Sequence, residues 1–360
     1  MKAWPYLLVF LIPLTVILGF WFGGWYTFIT PIVVFGIVPI IDALIGQDES
    51  NLSIEKEKEL ENKRTFRIIT QIAAPFNTIL VILGAYWIST IQLSAIELIV
   101  FTISMGISSG VFGINISHEL GHRIQNRFEP FLSRLILIST LYMHWILEHV
   151  VGHHRNVATF EDPATARLNE SVYRFLPRSI FGAIGSIWTF EKNRLQRMNK
   201  SFISIENRII AYFLLEAVFT FGIFYFFGIL AILYFLIQSF IAILLLETIN
   251  YIEHYGLLRN KIGDKAEPVQ PIHSWNSNYW LTNHFLFNLQ RHSDHHYQAH
   301  RCYQILRYHE NSLQLPAGYA TMVLLALIPP LWKKIINPRI PESIIQLQLI
   351  NTKNIIRNNM

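Results

Sequence analysis

The chain has 360 residues, of which 52% are hydrophobic and only 15% are charged. Soluble proteins carry about 25% charged residues, so this composition excludes an ordinary soluble enzyme and indicates a membrane protein. The single cysteine excludes a disulfide framework and a four-cysteine iron or zinc module within this chain. A net charge of +5 is ordinary for a membrane protein with basic loops and does not indicate nucleic-acid binding.

Four long segments contain no Lys, Arg, Asp or Glu: residues 3–41, 68–96, 98–117 and 217–246. A membrane-spanning helix needs about 20 apolar residues, so the first and last segments each predict a helical hairpin and the middle two predict one helix each. The predicted fold is an all-α integral membrane protein with six transmembrane helices. The predicted spans are 5–22, 25–45, 68–88, 96–117, 209–227 and 228–249. The first span is expected to remain as an anchor, because its apolar run is too long for a cleavable signal peptide.

The distribution of Lys and Arg predicts the orientation of these spans. The connector at residues 47–66 carries several Lys and Arg, whereas the turns near residues 20–25, 89–94 and 226–230 carry none. The positive-inside rule therefore places the connector, both termini and the segments 118–208 and 250–338 in the cytoplasm of a bacterial inner membrane. The apolar run after Arg134 is too short to span. Residues 1–338 are predicted to form one membrane domain, and residues 339–360 a polar C-terminal tail.

All fourteen histidines lie between His118 and His309, and most of them form clusters on the predicted cytoplasmic side. Neutral imidazole is the commonest protein ligand for iron, copper and zinc, so this density predicts a metal site. Three motifs contain two histidines four residues apart, a spacing that puts both imidazoles on one face of a helix: HELGH, EHVVGHH and LQRHSDHH. A fourth motif, NYIEHYG, adds one more histidine at the end of the sixth span. The predicted ligands are His118, His122, His149, His153, His154, His254, His292, His295 and His296.

Nine imidazoles exceed the coordination capacity of one ion and suit two. Structural zinc sites favour Cys and closed tetrahedral geometry, so an all-imidazole site at a membrane favours redox iron, with copper as the weaker alternative. Such a site indicates dioxygen activation on a substrate that resides in the bilayer. HELGH also matches the zinc-protease pattern H-E-x-x-H, which expects one further ligand. A metal transporter is a further alternative, although its ligands should lie along the spans.

Longer motifs around these histidines carry a family resemblance. The motifs are NISHELGHR, EHVVGHHRNVATFEDPATAR, NYIEHYGLLR, HSWNSNYWLTN and LQRHSDHHYQAHRCYQILR. On these motifs the chain resembles membrane alkane 1-monooxygenases of the integral-membrane fatty acid desaturase/hydroxylase superfamily, from the first hairpin to about residue 338. NYIEHYG and LQRHSDHH are more specific than the histidine spacing and argue against the second hypothesis, an acyl-lipid desaturase or hydroxylase.

The resemblance implies two non-haem irons that insert one atom of O2 into the terminal C–H bond of a linear alkane. It also implies that electrons come from rubredoxin, which a rubredoxin reductase reduces with NADH. Since the chain has one cysteine, it contains no fused rubredoxin, and the donor must be a separate chain. Arginines are expected to form a docking face for this acidic protein, although contact with the membrane surface explains them equally well. They are Arg155, Arg194, Arg197, Arg291 and Arg301.

At least two of the four carboxylates beside the ligands are predicted to orient imidazoles from other clusters, because adjacent residues on a helix do not face one another. These residues are Glu119, Glu148, Glu253 and Asp294. His273, in HSWNSN, is predicted to support the site or to replace a ligand. His144 is expected to be a hydrogen-bonded core residue. Glu216 and Glu247, within the last hairpin, are expected to make local hydrogen bonds or to reach the membrane surface.

Overall fold

Helices make up most of the protein, for which a computed structural model describes residues 2–125, 127–263 and 265–358, with side chains up to residue 350. The helices are α1 Trp4–Phe22, α2 Gly24–Ile45, α3 Ile54–Glu61, α4 Arg64–Thr90, α5 Ala95–Gly121, α6 Phe128–Ile138, α7 Met143–Glu148, α8 Val172–Arg197, α9 Arg208–His254, α10 Trp280–Phe285, α11 His292–Tyr297, α12 Tyr319–Ala326, α13 Pro329–Ile336 and α14 Glu342–Asn358. Antiparallel strands β1 (Lys261–Ile262) and β2 (Lys265–Ala266) form one small sheet, and parallel strands β3 (Trp275–Asn276) and β4 (Leu313–Gln314) form another.

Five helices of the described chain are long and apolar enough to cross a membrane, namely α1, α2, α4, α5 and α9. The turn between α1 and α2 is made by Gly23 and Gly24, whose φ angles of 62° and 54° lie in the left-handed region that glycine enters without steric cost. Helix α5 begins with a capping box, in which the Ser94 and Glu97 side chains each accept the other residue's backbone N–H. The α5 helix continues past the predicted end at residue 117 and carries HELGH in its last turn.

Helix α9 contains both of the last two predicted spans in one run of 47 residues. A straight helix of that length extends about 70 Å, more than twice the thickness of the hydrocarbon core. The backbone leaves the helical region at Gly228, where φ is 83°. The rings of Phe219 and Phe235 lie 5.5 Å apart across this break, although an unbroken helix would separate them by about 24 Å. The chain therefore turns back on itself at the predicted boundary between residues 227 and 228.

Buried carboxylates of α9 fix the shorter helices that precede it. Glu216 accepts a hydrogen bond from the Met143 backbone N–H at 2.7 Å, and Glu247 accepts one from the Tyr142 hydroxyl at 2.8 Å. Both glutamates are thus hydrogen-bonded, one of the two outcomes expected for them, but their partners lie 73 and 105 positions away in sequence. Glu247 also accepts a hydrogen bond from Ser179 of α8 at 2.6 Å, which ties this helix to the last hairpin. Helix α8 lies in a segment whose polar, mixed sequence did not predict a helix.

The C-terminal helices pack against the end of α9. The Trp332 side chain of α13 is fully buried, and its ring lies 5.1 Å from that of Tyr251. The predicted division at residue 338 is wrong in one respect, because Ile340 and Ile344 are buried in the same core as Tyr251. Ile340 packs over Gly256 of NYIEHYG, where a Cβ would lie 2.6 Å from its side chain. The first part of the tail, with Ile340 and Ile344, is therefore packed on the membrane domain.

Candidate metal centre

Four local structures bring the histidine motifs to one end of the helices. The first motif occupies the last turn of α5, directly after a π-helical segment, and His254 is the last residue of α9. The second motif begins in a π-helical turn over His149–His153, which follows α7, and it ends in the short helix His154–Asn156. The third motif forms α11. Single π-helical turns are rare and frequently occur at functional sites, because they change the direction of the side chains that follow.

The nine predicted histidines form two sets, within each of which the potential ligand atoms lie within 4.8 Å of one another. The five-histidine set consists of His118, His122, His149, His154 and His295. The four-histidine set consists of His153, His254, His292 and His296. The second and third motifs each contribute to both sets, a division that the sequence spacing did not predict. Two sets of converging imidazoles agree with the prediction of two metal ions.

Neighbouring Nε2 atoms within each set are separated by 2.9–3.2 Å. In the five-histidine set the pairs are 118–295 at 3.0 Å and 154–295, 149–154 and 122–149 at 3.1 Å. In the four-histidine set they are 153–296 at 3.2 Å, 254–292 at 3.1 Å and 292–296 at 2.9 Å. An imidazole nitrogen carries either one proton or one lone pair, yet Nε2 of His149, His154 and His295 each has two such neighbours. Hydrogen bonds therefore do not explain this packing, whereas a shared metal ion at each set does.

The separations also indicate a coordination geometry. With metal–nitrogen bonds of about 2.1 Å, ligands at 90° to each other lie about 3.0 Å apart, and tetrahedral ligands about 3.4 Å apart. The observed separations match the 90° arrangement, which is found in five- and six-coordinate sites. Each set could therefore hold one ion, and a site of imidazoles without cysteine suits iron better than structural zinc.

An apolar cavity of about 920 Å³, counting its open end, leads to the two sets. Its walls include Ile12 of α1 and Val34 of α2, and its inner end is bordered by His118, His149 and His292. It thus touches ligands of both sets. Gly110 lines it eight residues before His118, which corresponds to about 12 Å along α5. The cavity lining is mostly hydrocarbon, and ligands of both histidine sets form part of it.

Comparisons with known proteins agree with this arrangement. Residues 93–325 match the family model described as fatty acid desaturase. The chain is 42% identical to alkane 1-monooxygenase 2 of Alcanivorax borkumensis, over 94% of this chain and 91% of that protein. It is 42% identical to the alkane 1-monooxygenase of Acinetobacter baylyi over 87% of this chain and 76% of that protein, and 37% identical to that of Pseudomonas putida over 91% and 83%. The chain belongs to the alkane 1-monooxygenase family.

Burial sets the protonation of the imidazoles in this alkane 1-monooxygenase family member. Burial, helped by the neighbouring cations and imidazoles, lowers the pKa of His122 to about 3. Burial and the adjacent imidazoles also lower the pKa of other ligands well below the usual value, namely His149, His154, His292, His295 and His296. A lowered pKa keeps these rings neutral near pH 7, and the neutral ring is the form that binds metal.

His153 differs because a carboxylate supports it. Its Nδ1 lies 2.9 Å from Oδ2 of Asp162, which also accepts a hydrogen bond from the Thr165 hydroxyl at 2.6 Å. Burial lowers the pKa of His153, but the Asp162 carboxylate, together with Glu148 and Glu247, outweighs burial, so the pKa is raised. A carboxylate on the second ring nitrogen fixes the orientation of a ligand and increases its basicity. Sequence reasoning missed Asp162, although it lies within the EDPATAR motif.

Of the four carboxylates predicted to orient ligands, Glu253 alone contacts a ligand ring in the described part of the chain. Its Oε2 lies 3.2 Å from the metal-facing Nε2 of His292, and its Oε1 accepts a hydrogen bond from the Tyr319 hydroxyl at 2.7 Å. Since that nitrogen faces the metal, Glu253 lies on the metal side of the ring, and not behind it as a support would.

The other three predicted carboxylates have different partners. Glu119 pairs with Arg123 at 2.6 Å, Glu148 accepts a hydrogen bond from Ser186 at 3.1 Å, and Asp294 lies 2.7 Å from His309. The prediction that they orient imidazoles of other clusters is therefore wrong for these three. Each finds a cation, a hydroxyl or a non-ligand ring closer than any of the nine ligands.

His273 and His144 lie outside both sets. His273 accepts a hydrogen bond from the Gln270 backbone N–H at 2.9 Å, and its Nε2 lies 3.3 Å from Glu267. Both of its nitrogens are engaged away from the two sets, so His273 does not replace a ligand here. His144 is buried as predicted, but neither ring nitrogen has a hydrogen-bond partner among the described residues.

The five predicted docking arginines occupy different environments. Arg155 and Arg197 are exposed. Arg194 is held by Glu191 at 2.6 Å, and Arg301 lies 3.4 Å from Asp294. Arg291 is only 8% exposed, and its guanidinium donates to the backbone carbonyls of residues 48, 50 and 306. Arg291 is therefore a structural residue and is unsuited to docking, a correction to the sequence prediction.

Proposed function

We propose that this enzyme hydroxylates the terminal methyl group of a linear alkane with O2 at two non-haem irons, one in each histidine set. The observation that carries the proposal is the apolar cavity, because it ends at ligands of both sets. Bound iron would supply the activation of O2 and the storage of electrons. The relatives' names, alkane 1-monooxygenase, support this reaction and support oxidation at carbon 1 of the alkane.

The cavity supplies binding and orientation. Its hydrocarbon walls, including Ile12, Val34 and Val323, bury an apolar chain and exclude water. The alkane carries no polar group that these walls must satisfy, so it can enter lengthwise from the membrane and stop at the imidazoles. The terminal carbon then lies nearest to the reacting centre, which gives oxidation at position 1 through placement alone.

We place the histidine end of the helices at the cytoplasmic face of a bacterial inner membrane. The two halves of α9 then cross as separate spans, which gives six crossings and puts both termini in the cytoplasm. The connector containing α3 carries Lys56, Lys58 and Lys63 at this end, whereas Gly23–Gly24 and Gly228 form uncharged turns at the other. Labelling of single cysteines placed at Lys58 and at Gly24, with a membrane-impermeant reagent on intact cells, tests this orientation.

A separate rubredoxin, reduced by an NADH-dependent rubredoxin reductase, is the proposed electron donor. It would dock over the five-histidine set, because His122 and His154 are partly exposed there, while every member of the four-histidine set is buried. Arg155 follows His154 directly and is exposed, so an acidic partner finds a cation next to one of the two partly exposed ligands. Arg155→Glu should raise the KM for rubredoxin by about tenfold at low salt, whereas exposed Arg174→Glu on α8 should not.

The decisive experiment combines metal analysis with whole-cell conversion of n-alkanes, with a rubredoxin and its reductase coexpressed. The proposal expects about two irons per chain and a 1-alkanol as the product. Zinc as the only metal, or no oxygenated product from any alkane, would contradict it. Product analysis with an acyl lipid separates the alternative, because a desaturase or lipid hydroxylase would convert that substrate and leave alkanes untouched.

A further inference from the structure

A polar hollow of about 420 Å³ lies beside the third histidine motif, separate from the apolar cavity. Its walls at the protein surface include Asp48, which is half-buried, and the exposed Ser50. Its inner wall includes Asn283, Gln304 and Leu306, all of which are buried. The hollow therefore extends from the surface at the histidine end of the helices into the interior.

Three buried polar atoms on the wall of this hollow have no hydrogen-bond partner in the described part of the chain: Asn283 Oδ1, Gln304 Oε1 and Arg291 Nε. Gln304 is held in place, because its Nε2 donates to the carbonyls of residues 60 and 61 at 3.1 and 3.2 Å. Unsatisfied buried polar groups are costly, and their usual partner in a polar hollow of this size is ordered water. Two acceptors and one N–H donor on the wall of the same hollow could hydrogen-bond a small cluster of water molecules.

A second, smaller hollow, with room for about one water molecule, lies next to the first. Leu306 borders both hollows, and the smaller one is also lined by His118 and His295 of the five-histidine set. Asn115 lines it too, and its Nδ2 is a further buried polar atom without a partner among the described residues. Polar groups that lack partners thus lead from the surface to the five-histidine set, with the Leu306 side chain between the two hollows.

We propose that these two hollows hold a chain of water that carries protons from the surface to the five-histidine set. The inference rests on the proposed function, in which an alkane, O2, two electrons and two protons yield a 1-alkanol and water. The two electrons come from the iron–sulfur donor, and the two protons come from bulk water. The lining of the substrate cavity is mostly hydrocarbon, with few polar side chains such as Asn115 and Glu253, so it offers a chain of water few hydrogen-bond partners and is the poorer route for protons. Asn283, Gln304 and Arg291 position the water and need not change their own charge.

The test compares two variants of the hollows with a matched control. Asn283→Leu removes an acceptor and fills space at the inner wall, and Leu306→Phe obstructs the junction between the hollows. Asn278→Leu is the control, since Asn278 is fully buried and its Oδ1 also lacks a partner, but it lies outside the hollow. The measurements are iron per chain, the rate of 1-alkanol formation at saturating alkane, the KM for alkane, and the solvent deuterium isotope effect on that rate.

Both hollow variants should keep about two irons per chain and an unchanged KM, while the rate falls at least about tenfold and the solvent isotope effect increases. Asn278→Leu should keep the wild-type rate and isotope effect, and Asn283→Asp should restore most of the rate because it supplies an acceptor again. A wild-type rate and isotope effect in either iron-loaded hollow variant would overturn the proposal. A wild-type enzyme that forms no 1-alkanol would instead contradict the proposed function.

Discussion

The two histidine sets share the second and third motifs but differ in exposure and in the carboxylates that contact them. The five-histidine set has one more nitrogen, and two of its members are partly exposed. The four-histidine set is entirely buried, and carboxylates contact its rings: Asp162 behind His153, and Glu253 beside His292. No carboxylate contact of this kind is present for the five-histidine set among the described residues.

This difference indicates that the two sets have different roles in the reaction. A partly exposed set is accessible to an electron donor and, through the polar hollows, to protons. Metal binding by the buried set should depend more on each ligand, because this set has fewer nitrogens. It should also depend more on the carboxylates that contact its rings, because buried surroundings of low dielectric strengthen electrostatic interactions. The substrate cavity touches both sets, so the alkane would lie where the two environments meet.

Removal of one ligand from each set should give the largest effects and should separate the sets. His254→Ala leaves three nitrogens in the four-histidine set, so we expect iron to fall to about one per chain and 1-alkanol formation to fall by about a thousandfold or more. His154→Ala leaves four nitrogens in its set and should retain more iron. Iron analysis of the purified variants, together with Mössbauer spectra, measures both losses.

His300→Ala is the control for these two variants, because His300 is exposed and lies outside both sets. It should keep full iron content and activity. Equal iron loss in His254→Ala and His154→Ala would show that the two sets bind metal as one unit, and it would remove the distinction drawn from their nitrogen counts.

The carboxylate behind His153 should give the second largest effect. Asp162→Asn removes the charge that orients this ring while preserving its size, so the affinity for the second iron should fall by about 10- to 100-fold. Glu119→Gln is the matched control, since Glu119 follows a ligand in sequence but pairs with Arg123. Chelator titration of the loaded enzyme measures the loss, and similar iron release from both variants would contradict the assigned role of Asp162.

The sequence predicted the members of the metal centre but not their arrangement. Spacings of four residues identified His118 with His122 and His149 with His153, and the length of the last apolar segment predicted the turn at Gly228. The division of the ligands was not predictable, because the π-helical turn at His149–His153 changes which neighbouring residues share a direction. His149 and His153 consequently belong to different sets.

Other misses share a physical cause, namely that packing, and not adjacency in sequence, decides which partner a charged side chain reaches. The sequence predicts a surface cation at Arg291, yet its guanidinium donates hydrogen bonds to backbone carbonyls more than 240 positions earlier. Glu119 and Asp294 adjoin ligands but find other partners, while Asp162 lies nine positions from the ring that it supports. Adjacency to a ligand was therefore a poor guide to support, since packing decides which carboxylate reaches a ring.

Narrowing the cavity should affect substrate choice and leave both sets intact. Val34→Phe adds volume to the wall formed by α2, so long alkanes should lose rate by about tenfold relative to short ones. Iron content should remain at the wild-type value, because Val34 is remote in sequence from every ligand and lines only the cavity. Competition between a short and a long n-alkane gives the ratio directly, and an unchanged ratio would contradict the assignment of the cavity to substrate.

The smallest effect should come from the hydroxyl that holds Glu253. Tyr319→Phe removes one hydrogen bond to Oε1, worth about 1 kcal/mol, so the rate should fall about fivefold with the iron content preserved. Tyr142→Phe is a close control, because it removes an equivalent buried bond to Glu247, which contacts no ligand ring. If Tyr142→Phe slows the reaction as much as Tyr319→Phe, then general packing explains the loss. A selective effect of Tyr319→Phe, with an altered Mössbauer signal of one iron alone, would mean that Glu253 acts on the four-histidine set.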